Sequence, residues 1–345
     1  MSKTLVIRLS SIGDVAMTIP VVYAAAEANP NDSFTVLTQT FLTPLFMNCP
    51  SNIDLLGVNT KTTEKSFFGF FRYVWMLRKY KFDRVLDLHH VIRSWIVDLL
   101  FYLNGKKVFV VDKRRRERKR LTARPPKVIQ PLRPVTARYA DVFHQAGFDF
   151  EETFVSLFST KPVETGRLED LFGGKKGKWI GIAPFAKHQG KIYPLAKMEQ
   201  VVKALSGQES VTVFLFGSAG EEEETLNQWE NKYKNTINVA SRKFLFDKVL
   251  MLISMLDVHV SMDSANMHLG SLAGTDVISI WGATHPFAGF YGYHQRPDLA
   301  IQAVLPCRPC SMFGQKPCYR GDWACMNTIE PEQVINKIND YLKEL

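Results

Sequence analysis

Short apolar segments alternate with amphipathic segments along most of the chain, in the order of repeated strand–helix units. In the first half we predict strands at 4–9, 34–39, 53–59, 84–90 and 106–112, and helices at 15–28, 66–80 and 91–103. The strands are short and rich in Val, Ile and Leu, and helices separate them. This pattern predicts a parallel sheet that is covered on both faces.

The alternation pauses at 158–178, which is polar and rich in Gly and Lys, and we interpret this segment as a linker. A second series then begins, with strands predicted at 179–185, 211–217, 236–241, 257–263 and 276–282, and helices at 195–206, 219–232, 245–255 and 265–273. The final segment has helical spacing, with a proline in its first turn. The chain therefore carries two similar strand–helix series and a closing helix.

We predict an α/β fold with two doubly wound domains in tandem. A chain of 345 residues is too long for one ordinary core, which agrees with two domains. The expected boundaries are 1–165 and 175–330, followed by a C-terminal helix at 331–345 for which packing against the first domain is one option. Ligands of such folds bind beyond the carboxyl ends of the strands, so the cleft between the domains is the expected site.

Composition and charge narrow the class of protein. The chain is 46% hydrophobic and 22% charged, as in globular proteins, and no apolar run reaches the roughly 20 residues of a membrane span. The N-terminal segment is too short and too strand-like for a signal peptide, so we expect a cytoplasmic protein. The net charge of +9 favours an anionic partner: nucleic acid, an acidic membrane surface or a phosphorylated substrate.

The first candidate site is the segment "RLSSIGDVAMTIP", Arg8 to Pro20, which joins a strand to a helix. Backbone N–H groups at a helix start bind anions, but the carboxylate of Asp14 would repel a phosphate. Asp14 caps the helix in one interpretation. In the other it is a general base at the carboxyl end of a strand.

Two segments of the second half place anion-binding groups beyond strand ends. In "SMDSANMHLGSLAGTDVISIWGATHP", a strand ends at Asp263, a helix starts at Ser264, and His268 lies in its first turns. Helix amides and a hydroxyl can bind a diphosphate; the other interpretation is a capping serine and a packed histidine. In "APFAKHQGKIYP", Lys187 and Lys191 are four residues apart and can reach one diphosphate, or remain solvated.

Charged segments outside these loops give weaker indications. In "FGSAGEEEE", Glu221 is a candidate for ribose hydroxyls near Gly217, although such glutamates also complement a helix dipole. In "KRRRERKR", residues 113–120, seven of eight residues are basic. This run could bind nucleic acid or membrane phosphates, or form a solvated face. It lacks the aromatic residues of a single-strand stacking platform.

Four of the five cysteines lie close together in sequence, at Cys307, Cys310, Cys318 and Cys325. The first two have the spacing of one half of a tetrahedral zinc site, but the second two fit the usual spacing poorly. Zinc binding, free buried thiols and a stapled loop remain open.

Taken together, these motifs resemble the ADP-heptose lipopolysaccharide heptosyltransferases of glycosyltransferase family 9. "SSIGDVAMTIP" is similar to the family's S-S/x-x-G-D-V/I-x-x-T-L-P opening, and "KIYP" to its K-x-W-P. "MDSANMHLGSLAGTDVISIWGATHP" is similar to its D-S/T-G-P-M-H-L-A segment and the G-x-T-x-P that follows. The cysteine-bearing tail is also found in many members. The resemblance covers nearly the whole chain, in order.

The resemblance implies a GT-B fold, with two Rossmann-like doubly wound parallel-sheet domains facing across a cleft: a first domain that binds the acceptor and a second that binds the nucleotide sugar. It implies an inverting, metal-independent transfer of heptose from ADP-heptose, with no cofactor required, to the phosphorylated lipid A–Kdo inner core of lipopolysaccharide. The sequence has no Asp-x-Asp metal motif. We expect a monomer at the inner face of the cytoplasmic membrane in a Gram-negative cell, with no nucleic-acid partner.

The resemblance also assigns roles to residues. The catalytic pair is Asp14 and Lys191. Donor-binding residues are Lys187, Gly217, Glu221, Asp263, Ser264, Ala265, Asn266 and His268. Acceptor-binding residues are Ser10, Ser11, Gly13, Arg93, Lys113, Arg114, Arg115, Arg116, Arg118, Lys119 and Arg120.

Two departures and three alternatives accompany this assignment. The family's Gly and Pro are Ala265 and Asn266 here, which bears on the fit of the donor sugar. The main alternative is a GT-B enzyme that uses another nucleotide sugar on a cell-envelope acceptor. A remote alternative is a nucleic-acid-binding protein that uses the basic run. A Rossmann oxidoreductase is disfavoured because no Gly-x-Gly-x-x-Gly follows a strand.

Overall fold

The computed structural model describes residues 2–162 and 166–345, apart from the side chains of Phe67 and Arg167. Residues 163–165, inside the predicted linker, lie outside the described residues. The strands are β1 (Lys3–Ile7), β2 (Ser33–Gln39), β3 (Ile53–Val58), β4 (Arg84–Asp87), β5 (Lys107–Val110), β6 (Lys178–Ala183), β7 (Val211–Leu215), β8 (Thr236–Asn238), β9 (Val258–Met262), β10 (Val277–Trp281) and β11 (Ala300–Gln302).

The helices flank these strands. They are α1 (Ile12–Ala16), α2 (Ile19–Ala28), α3 (Phe67–Leu77), α4 (Ile92–Leu103), α5 (Arg115–Leu121), α6 (Val135–Gln145), α7 (Gly166–Asp170), α8 (Leu195–Ser206), α9 (Glu221–Lys232), α10 (Phe246–Ser254), α11 (Ala265–Ala273), α12 (Ala324–Asn327) and α13 (Pro331–Glu344). Every strand and helix predicted from the periodicity is present. The sequence patterns missed β11, α5, α6, α7 and α12.

Both sheets are parallel. In each sheet, successive strands first extend one side of the first strand and then extend its other side. The first sheet has the order β3-β2-β1-β4-β5, and the second has β11-β10-β9-β6-β7-β8. Read from β8, the second order is the 3-2-1-4-5-6 order of dinucleotide-binding folds. The predicted doubly wound α/β fold is confirmed.

The chain forms two compact units whose boundaries differ from the predicted ones. The first unit is Met1–Lys113 with Arg133–Val155, and the second is Arg114–Leu132 with Ser156–Leu345. The segment 114–132 joins the second unit because Lys127 Nζ donates to the backbone carbonyls of Cys307 and Pro309, at 2.8 and 2.5 Å. We expected the basic run, residues 113–120, in the first domain. Most of it lies in the second unit instead.

The C-terminal helix packs within the second unit. α13 lies against α8, and its Val334 and Ile338 are fully buried in the core of that unit. Tyr341 donates a 2.9 Å hydrogen bond to Asp276, immediately before β10. This packing corrects the option that the helix lies on the first domain, since its apolar stripe is already covered.

Two helices of the first unit lie side by side on one face of its sheet. Phe70 and Val74 of α3 and Val97 and Phe101 of α4 join one buried cluster with Ile7 of β1. The two helices also contact each other. No helix in the described part of the chain is both long enough and apolar enough to cross a bilayer.

Candidate functional site

Each sheet has a switch point, a pair of adjacent parallel strands from which the chain connections lead towards opposite edges of the sheet. In the first sheet it lies between β1 and β4, and in the second between β6 and β9. Loops that leave the carboxyl ends of two such strands diverge and open a crevice. Asp14 follows β1, whereas Lys191 follows β6 and Asp263 follows β9, so the sequence-predicted residues lie beyond strands at the two switch points.

Asp14 occupies a capping position at the start of α1, and its role as a general base stays a prediction. At the third position of α1, its Oδ2 accepts hydrogen bonds from the Ser11 hydroxyl at 2.7 Å and the Ser11 backbone N–H at 3.2 Å. The same oxygen lies 2.8 Å from a guanidinium nitrogen of Arg8. The side chain keeps 23% of its surface exposed. Asp14 therefore caps the helix while part of its carboxylate stays exposed.

Arg8 is a buried cation that fixes this carboxylate. Its guanidinium donates a 2.6 Å hydrogen bond to the carbonyl of Leu88, just beyond β4, and lies 5.8 Å from the ring centre of Tyr139. Burial lowers the pKa of Arg8, but the charges of Asp14, Tyr139 and Asp87 and the hydrogen bond to Asp14 together outweigh this, so the pKa lies above its usual value. Arg8 thus stays charged and links the loop after β1 to the end of β4.

The loop after β4 contributes groups that the sequence analysis missed. Asp87 is fully buried, and its Oδ1 accepts the backbone N–H groups of His89 and His90 at 2.8 Å each. Burial and the nearby Asp87 carboxylate raise the pKa of Asp98 on α4 well above its usual range. Two buried carboxyl groups side by side favour a state in which the pair holds one proton.

His89 completes this edge of the first sheet. Burial and the charge of Arg8 lower the pKa of His89 to about 4, so its imidazole is neutral at pH 7. Its Nδ1 is buried, with no hydrogen-bond partner among the described residues. The sequence does contain an indication of this site, because Asp-Leu-His-His ends a strand that neighbours β1.

In the second unit, Lys191 and Asp263 form a mostly buried ion pair. The Lys191 Nζ lies 2.8 Å from Asp263 Oδ2, and the two side chains are 16% and 4% exposed. Lys191 ends a short 3₁₀ helix, Gln189–Lys191, after β6. Asp263 follows β9 directly. The pair therefore holds an ammonium group at the carboxyl edge of the sheet.

Helix α11 starts at the same edge. Ser264 is its N-cap residue, and the Ser264 hydroxyl lies 3.2 Å from that of Ser261. Ala265 and Asn266 are half-buried in its first turn, whereas His268 is buried. The free N–H groups of this nine-residue helix carry the positive end of its dipole. An anion placed here would meet these amides and Lys191 together.

A close backbone approach joins the Lys191 loop to the turn after β10. The Ala283 N–H donates to the Gly190 carbonyl at 2.8 Å. A Cβ on Gly190 would lie 2.8 Å from the Gly314 carbonyl oxygen and 2.9 Å from the Ala283 methyl. Only glycine fits there without displacing these neighbours. The turn Gly282–Thr284 therefore lies beside the Lys191 loop.

Two other predicted donor residues are more peripheral. Lys187 and Glu221 are exposed, and Gly217 is half-buried. The neighbouring Glu222 is better directed, because its Oε2 accepts the Ser218 backbone N–H at 2.7 Å and the Ser218 hydroxyl at 2.8 Å. Its carboxylate thus points back into the loop after β7. Adjacent glutamates on a helix start cannot be ranked from sequence alone.

The predicted acceptor residues fall into separate groups. Ser10 and Ser11 lie between β1 and α1, Gly13 lies in the first turn of α1, and Arg93 is exposed in the first turn of α4. Lys113 donates a 2.8 Å hydrogen bond to the His90 carbonyl, within the first unit. The remaining basic residues belong to the second unit: Arg114, Arg115, Arg116, Arg118, Lys119 and Arg120.

Aromatic contacts and an ion pair occupy part of this run. Arg118 lies 5.3 Å from the ring centre of Phe290 and 5.9 Å from that of Phe313. Arg114 forms a 3.1 Å ion pair with Glu117. Arg115, Arg116, Lys119 and Arg120 are exposed. These four are the members best placed to meet an external anion.

The four C-terminal cysteines line one small cavity together with Arg308. Within the described residues, no three His, Cys, Asp or Glu side chains are arranged to hold a metal ion. Burial raises the pKa of the Cys325 thiol to about 11 and lowers that of Arg308 to about 10. Zinc binding by the four cysteines therefore stays a prediction from their spacing.

Arg308 gives the cysteine segment a different role. Its buried guanidinium donates to the carbonyls of Gly282 and Thr284, at 2.5 and 3.0 Å, and to that of Ala303. Charged donors make the stronger hydrogen bonds of proteins. The cysteine segment is thereby anchored to the turn after β10, beside Lys191.

Comparisons with known proteins agree with this architecture. The model of a family described as glycosyltransferase family 9 (heptosyltransferase) matches residues 70–312. A curated relative, lipooligosaccharide heptosyltransferase 2 of Campylobacter jejuni, is 24% identical over 337 residues, which cover 95% of each chain.

Solved structures show the same fold at low identity. The family 9 glycosyl transferase from Veillonella parvula has a TM-score of 0.74 and 18% identity, over 100% of this chain and 98% of that one. The Escherichia coli heptosyltransferase WaaC, solved with ADP-2-deoxy-2-fluoro heptose, has a TM-score of 0.66 and 17% identity, over 99% of each chain.

Proposed function

We propose a mechanism that starts from the family of this chain. The chain belongs to glycosyltransferase family 9 (heptosyltransferase) and is a glycosyltransferase. The reaction moves heptose from ADP-heptose to a hydroxyl of the lipid A–Kdo inner core, with inversion at the anomeric carbon. The donor follows the family's description and the named relatives, one of which was solved with a fluorinated ADP-heptose. The acceptor follows their lipooligosaccharide and lipopolysaccharide names.

One observation carries this proposal: each sheet presents a charged pair beyond a strand at its switch point. The first unit offers a carboxylate, Asp14, held by Arg8 at 2.8 Å. The second offers an ammonium, Lys191, held by Asp263 at 2.8 Å. A transfer with a phosphate leaving group needs a base for the acceptor and positive charge for the departing phosphate. The two units supply one each.

Asp14 acts as the general base. The acceptor hydroxyl oxygen forms a bond to the anomeric carbon while its proton passes to the Asp14 carboxylate. Arg8 fixes the carboxylate in place and stabilises the negative form that accepts the proton. Ser11 and Arg8 both bind Oδ2 and so hold the carboxylate in one orientation while it accepts the proton.

Lys191 and the first amides of α11 stabilise the leaving group. As the new bond forms, the bond from the anomeric carbon to the β-phosphate oxygen breaks, and ADP leaves with the electron pair. Lys191 and these amides neutralise the growing charge, which is why we propose a transfer that does not depend on a metal. Attack on the face opposite to ADP inverts the anomeric centre.

The other donor residues orient the nucleotide sugar. Asp263 positions Lys191 and accepts hydrogen bonds from sugar hydroxyls, while Ser264 and His268 bind the diphosphate and sugar. Glu222 replaces Glu221 as the residue that we expect to bind the ribose near Gly217, because its carboxylate points into that loop. Lys187 stays a peripheral contact to the diphosphate.

The sugar specificity is open to one alternative. Ala265 and Asn266 occupy half-buried positions at the start of α11, where a side chain is close enough to select among sugars. This favours a second candidate, a transferase for another nucleotide sugar on a cell-envelope acceptor. Turnover of a panel of ADP- and UDP-sugars by the purified enzyme separates the two candidates.

Charged residues and the proposed acceptor support a location at a membrane surface. Lipid A–Kdo carries phosphates, and the exposed arginines and lysine of α5 complement them. We propose that a monomer works at the inner face of the cytoplasmic membrane. Nucleic acid is not its partner, because the donor-site residues would then have no role.

The decisive experiment measures heptose transfer from ADP-heptose to Kdo–lipid A by wild type, Asp14→Asn and Lys191→Met. We expect Asp14→Asn to lower kcat about 100- to 10,000-fold while the Kd for ADP stays unchanged. Lys191→Met should weaken ADP binding as well as turnover, since it removes the charge from the donor site. Lys187→Met, an exposed lysine of the same loop, is the matched control and should have a much smaller effect.

Full activity of Asp14→Asn would refute its assignment as the base. Release of ADP without transfer of the sugar to Kdo–lipid A would refute the acceptor but leave the donor assignment intact.

A further inference from the structure

Helix α4 is apolar on two opposite sides. Its inner side packs Val97, Leu100 and Phe101 into the core of the first unit. Its outer side carries a second stripe at helical spacing, and all its members are 47–73% exposed: Ile92, Trp95, Leu99, Tyr102 and Leu103. Surface helices of globular proteins are normally polar on the outer side. The outer stripe therefore has no role in folding this unit.

Helix α3 extends the exposed apolar area. Phe68, Phe71 and Trp75, spaced three and four residues apart, are 82%, 42% and 52% exposed. The rings of Phe71 and Trp75 lie 6.2 Å apart. Since α3 and α4 pack side by side on one face of the sheet, the two outer stripes are neighbours. We call Phe68, Phe71, Trp75, Ile92, Trp95, Leu99, Tyr102 and Leu103 the outer apolar surface.

Exposed apolar side chains that occur singly are ordinary, but a contiguous group of eight on two adjacent helices marks an interaction site. Three of the eight are Trp or Tyr, whose rings combine an apolar body with a polar atom. These side chains are enriched where hydrocarbon meets water at a bilayer surface.

Most of the exposed charges on and next to these helices are positive. The basic residues are Arg72, Arg78, Lys79, Lys81, Arg93 and Lys107, and the exposed acidic residue among them is Asp83. The Arg78 guanidinium lies 4.3 Å from the centre of the Trp75 ring. Helix α3 has no acidic residue. The acidic residue of α4 is Asp98, whose pKa is raised by burial and by the neighbouring Asp87 carboxylate. An apolar face beside cations complements an anionic lipid surface.

We propose that the outer apolar surface docks into the interfacial layer of an anionic phospholipid bilayer, with α3 and α4 lying in the plane of the membrane. The proposal deepens the proposed function, on which it rests for the lipid-anchored acceptor. It also places the main apolar membrane contact on the first unit, outside the basic run. A second copy of the chain is the poorer occupant, because pairing two such surfaces would bring their cations together.

Vesicle sedimentation tests this docking. Wild type is mixed with vesicles of phosphatidylglycerol and phosphatidylethanolamine, or of phosphatidylcholine alone. We expect binding to the anionic vesicles, and partitioning at least about tenfold weaker for the triple variant Trp95→Gln, Leu99→Gln and Tyr102→Gln. The matched control replaces three exposed apolar residues elsewhere, with the substitutions Leu171→Gln, Leu245→Gln and Val304→Gln. It should bind vesicles like wild type.

Equal binding by the triple variant and the control would overturn the proposal. A second set of results would also overturn it: neither protein binds vesicles, wild type is a dimer and the triple variant is a monomer. The surface would then join two copies of the chain. Circular dichroism and thermal unfolding verify that each variant is folded.

A second readout keeps this proposal separate from the proposed function. On a deacylated, water-soluble Kdo acceptor, the triple variant should transfer heptose at the wild-type rate, while its rate on vesicle-embedded Kdo–lipid A falls. If wild type fails on both acceptors, the proposed acceptor is wrong, whatever the vesicle binding shows. A triple variant that is equally impaired on both acceptors refutes a role in membrane docking.

Discussion

At the scale of single residues, the position of the Asp14 carboxylate in the opening loop depends on a neighbouring cation, Arg8. Arg8 is only 8% exposed, yet it bonds the Leu88 carbonyl and the Asp14 carboxylate simultaneously. A buried arginine needs such partners, because leaving it unpaired costs several kcal/mol. The sequence showed an arginine before the loop but gave no reason to select it.

Arg8 is therefore a positioning residue for Asp14. We expect Arg8→Lys to lower kcat about 10- to 100-fold, because lysine cannot reach both partners with the same planar geometry. The Kd for ADP, measured by calorimetry, should stay unchanged. An unchanged kcat, or an equal loss in kcat and in ADP affinity, would contradict this role. Arg242→Lys, on the surface of the second unit, is the control.

At the scale of elements, β9 shows how small residues make room for a buried side chain. His259 is completely buried between β6 and α11. A Cβ on Gly181 would lie 2.4 Å from its Nδ1, and one on Gly270 would lie 3.6 Å from its Cδ2. The Phe216 ring meets the imidazole edge-on at 5.1 Å. Neither ring nitrogen has a hydrogen-bond partner among the described residues.

This burial predicts an acid sensitivity of the second unit. Burial lowers the pKa of His259 to about 3, below the value of about 6.5 in an unfolded chain. Between these values the unfolded state binds the proton and the folded state does not. The free energy of unfolding should therefore fall as the pH drops from about 6.5 towards 3.

His259→Leu removes this proton site at similar volume. We expect urea unfolding midpoints of the variant to fall less than those of wild type between pH 7.5 and pH 5. His144→Leu, at an exposed histidine with a bonded ring nitrogen, is the comparison. An identical pH dependence in wild type and His259→Leu would mean that His259 does not dominate the acid response.

At the scale of the whole molecule, most of the basic run belongs to the second unit, although its position in the chain suggests the first. The chain leaves the first unit after Lys113, runs through α5 in the second, and returns at Arg133. The contacts of Lys127, Arg118 and Leu132 with the second unit hold it there. The acceptor phosphates that we assign to this run are thus bound by a segment of the donor unit.

Reversing the exposed charges of α5 tests that assignment. We expect the variant Arg115→Glu, Arg116→Glu and Lys119→Glu to raise the KM for Kdo–lipid A several-fold, and to leave the Kd for ADP within about twofold. Each basic residue near an anionic surface contributes about 1 kcal/mol. The control variant Lys234→Glu, Lys243→Glu and Lys248→Glu changes net charge equally at exposed positions of the same unit. Similar KM values for the two variants would contradict specific docking by α5.

The sequence by itself determined the order of strands and helices and the residues that follow the central strands. Hydrophobic periodicity records which side of each segment is buried, and the strand-end motifs place Asp14, Lys191 and Asp263 beyond strands at the switch points of their sheets. These features are local, or follow from strand order in a known type of sheet, so a single sequence suffices to predict them.

Only the tertiary structure decided which distant side chains meet. Arg8 with Leu88, the Asp87–His89 turn, and Glu222 in place of Glu221 depend on how separate loops are oriented at one sheet edge. The cysteines likewise share a cavity without forming a metal ligand set. The outer stripe of α4 was also hidden, because an apolar helix looks the same in sequence whether both its sides are buried or one faces solvent. Exposure is a property of packing, and packing is set by contacts between residues far apart in the chain.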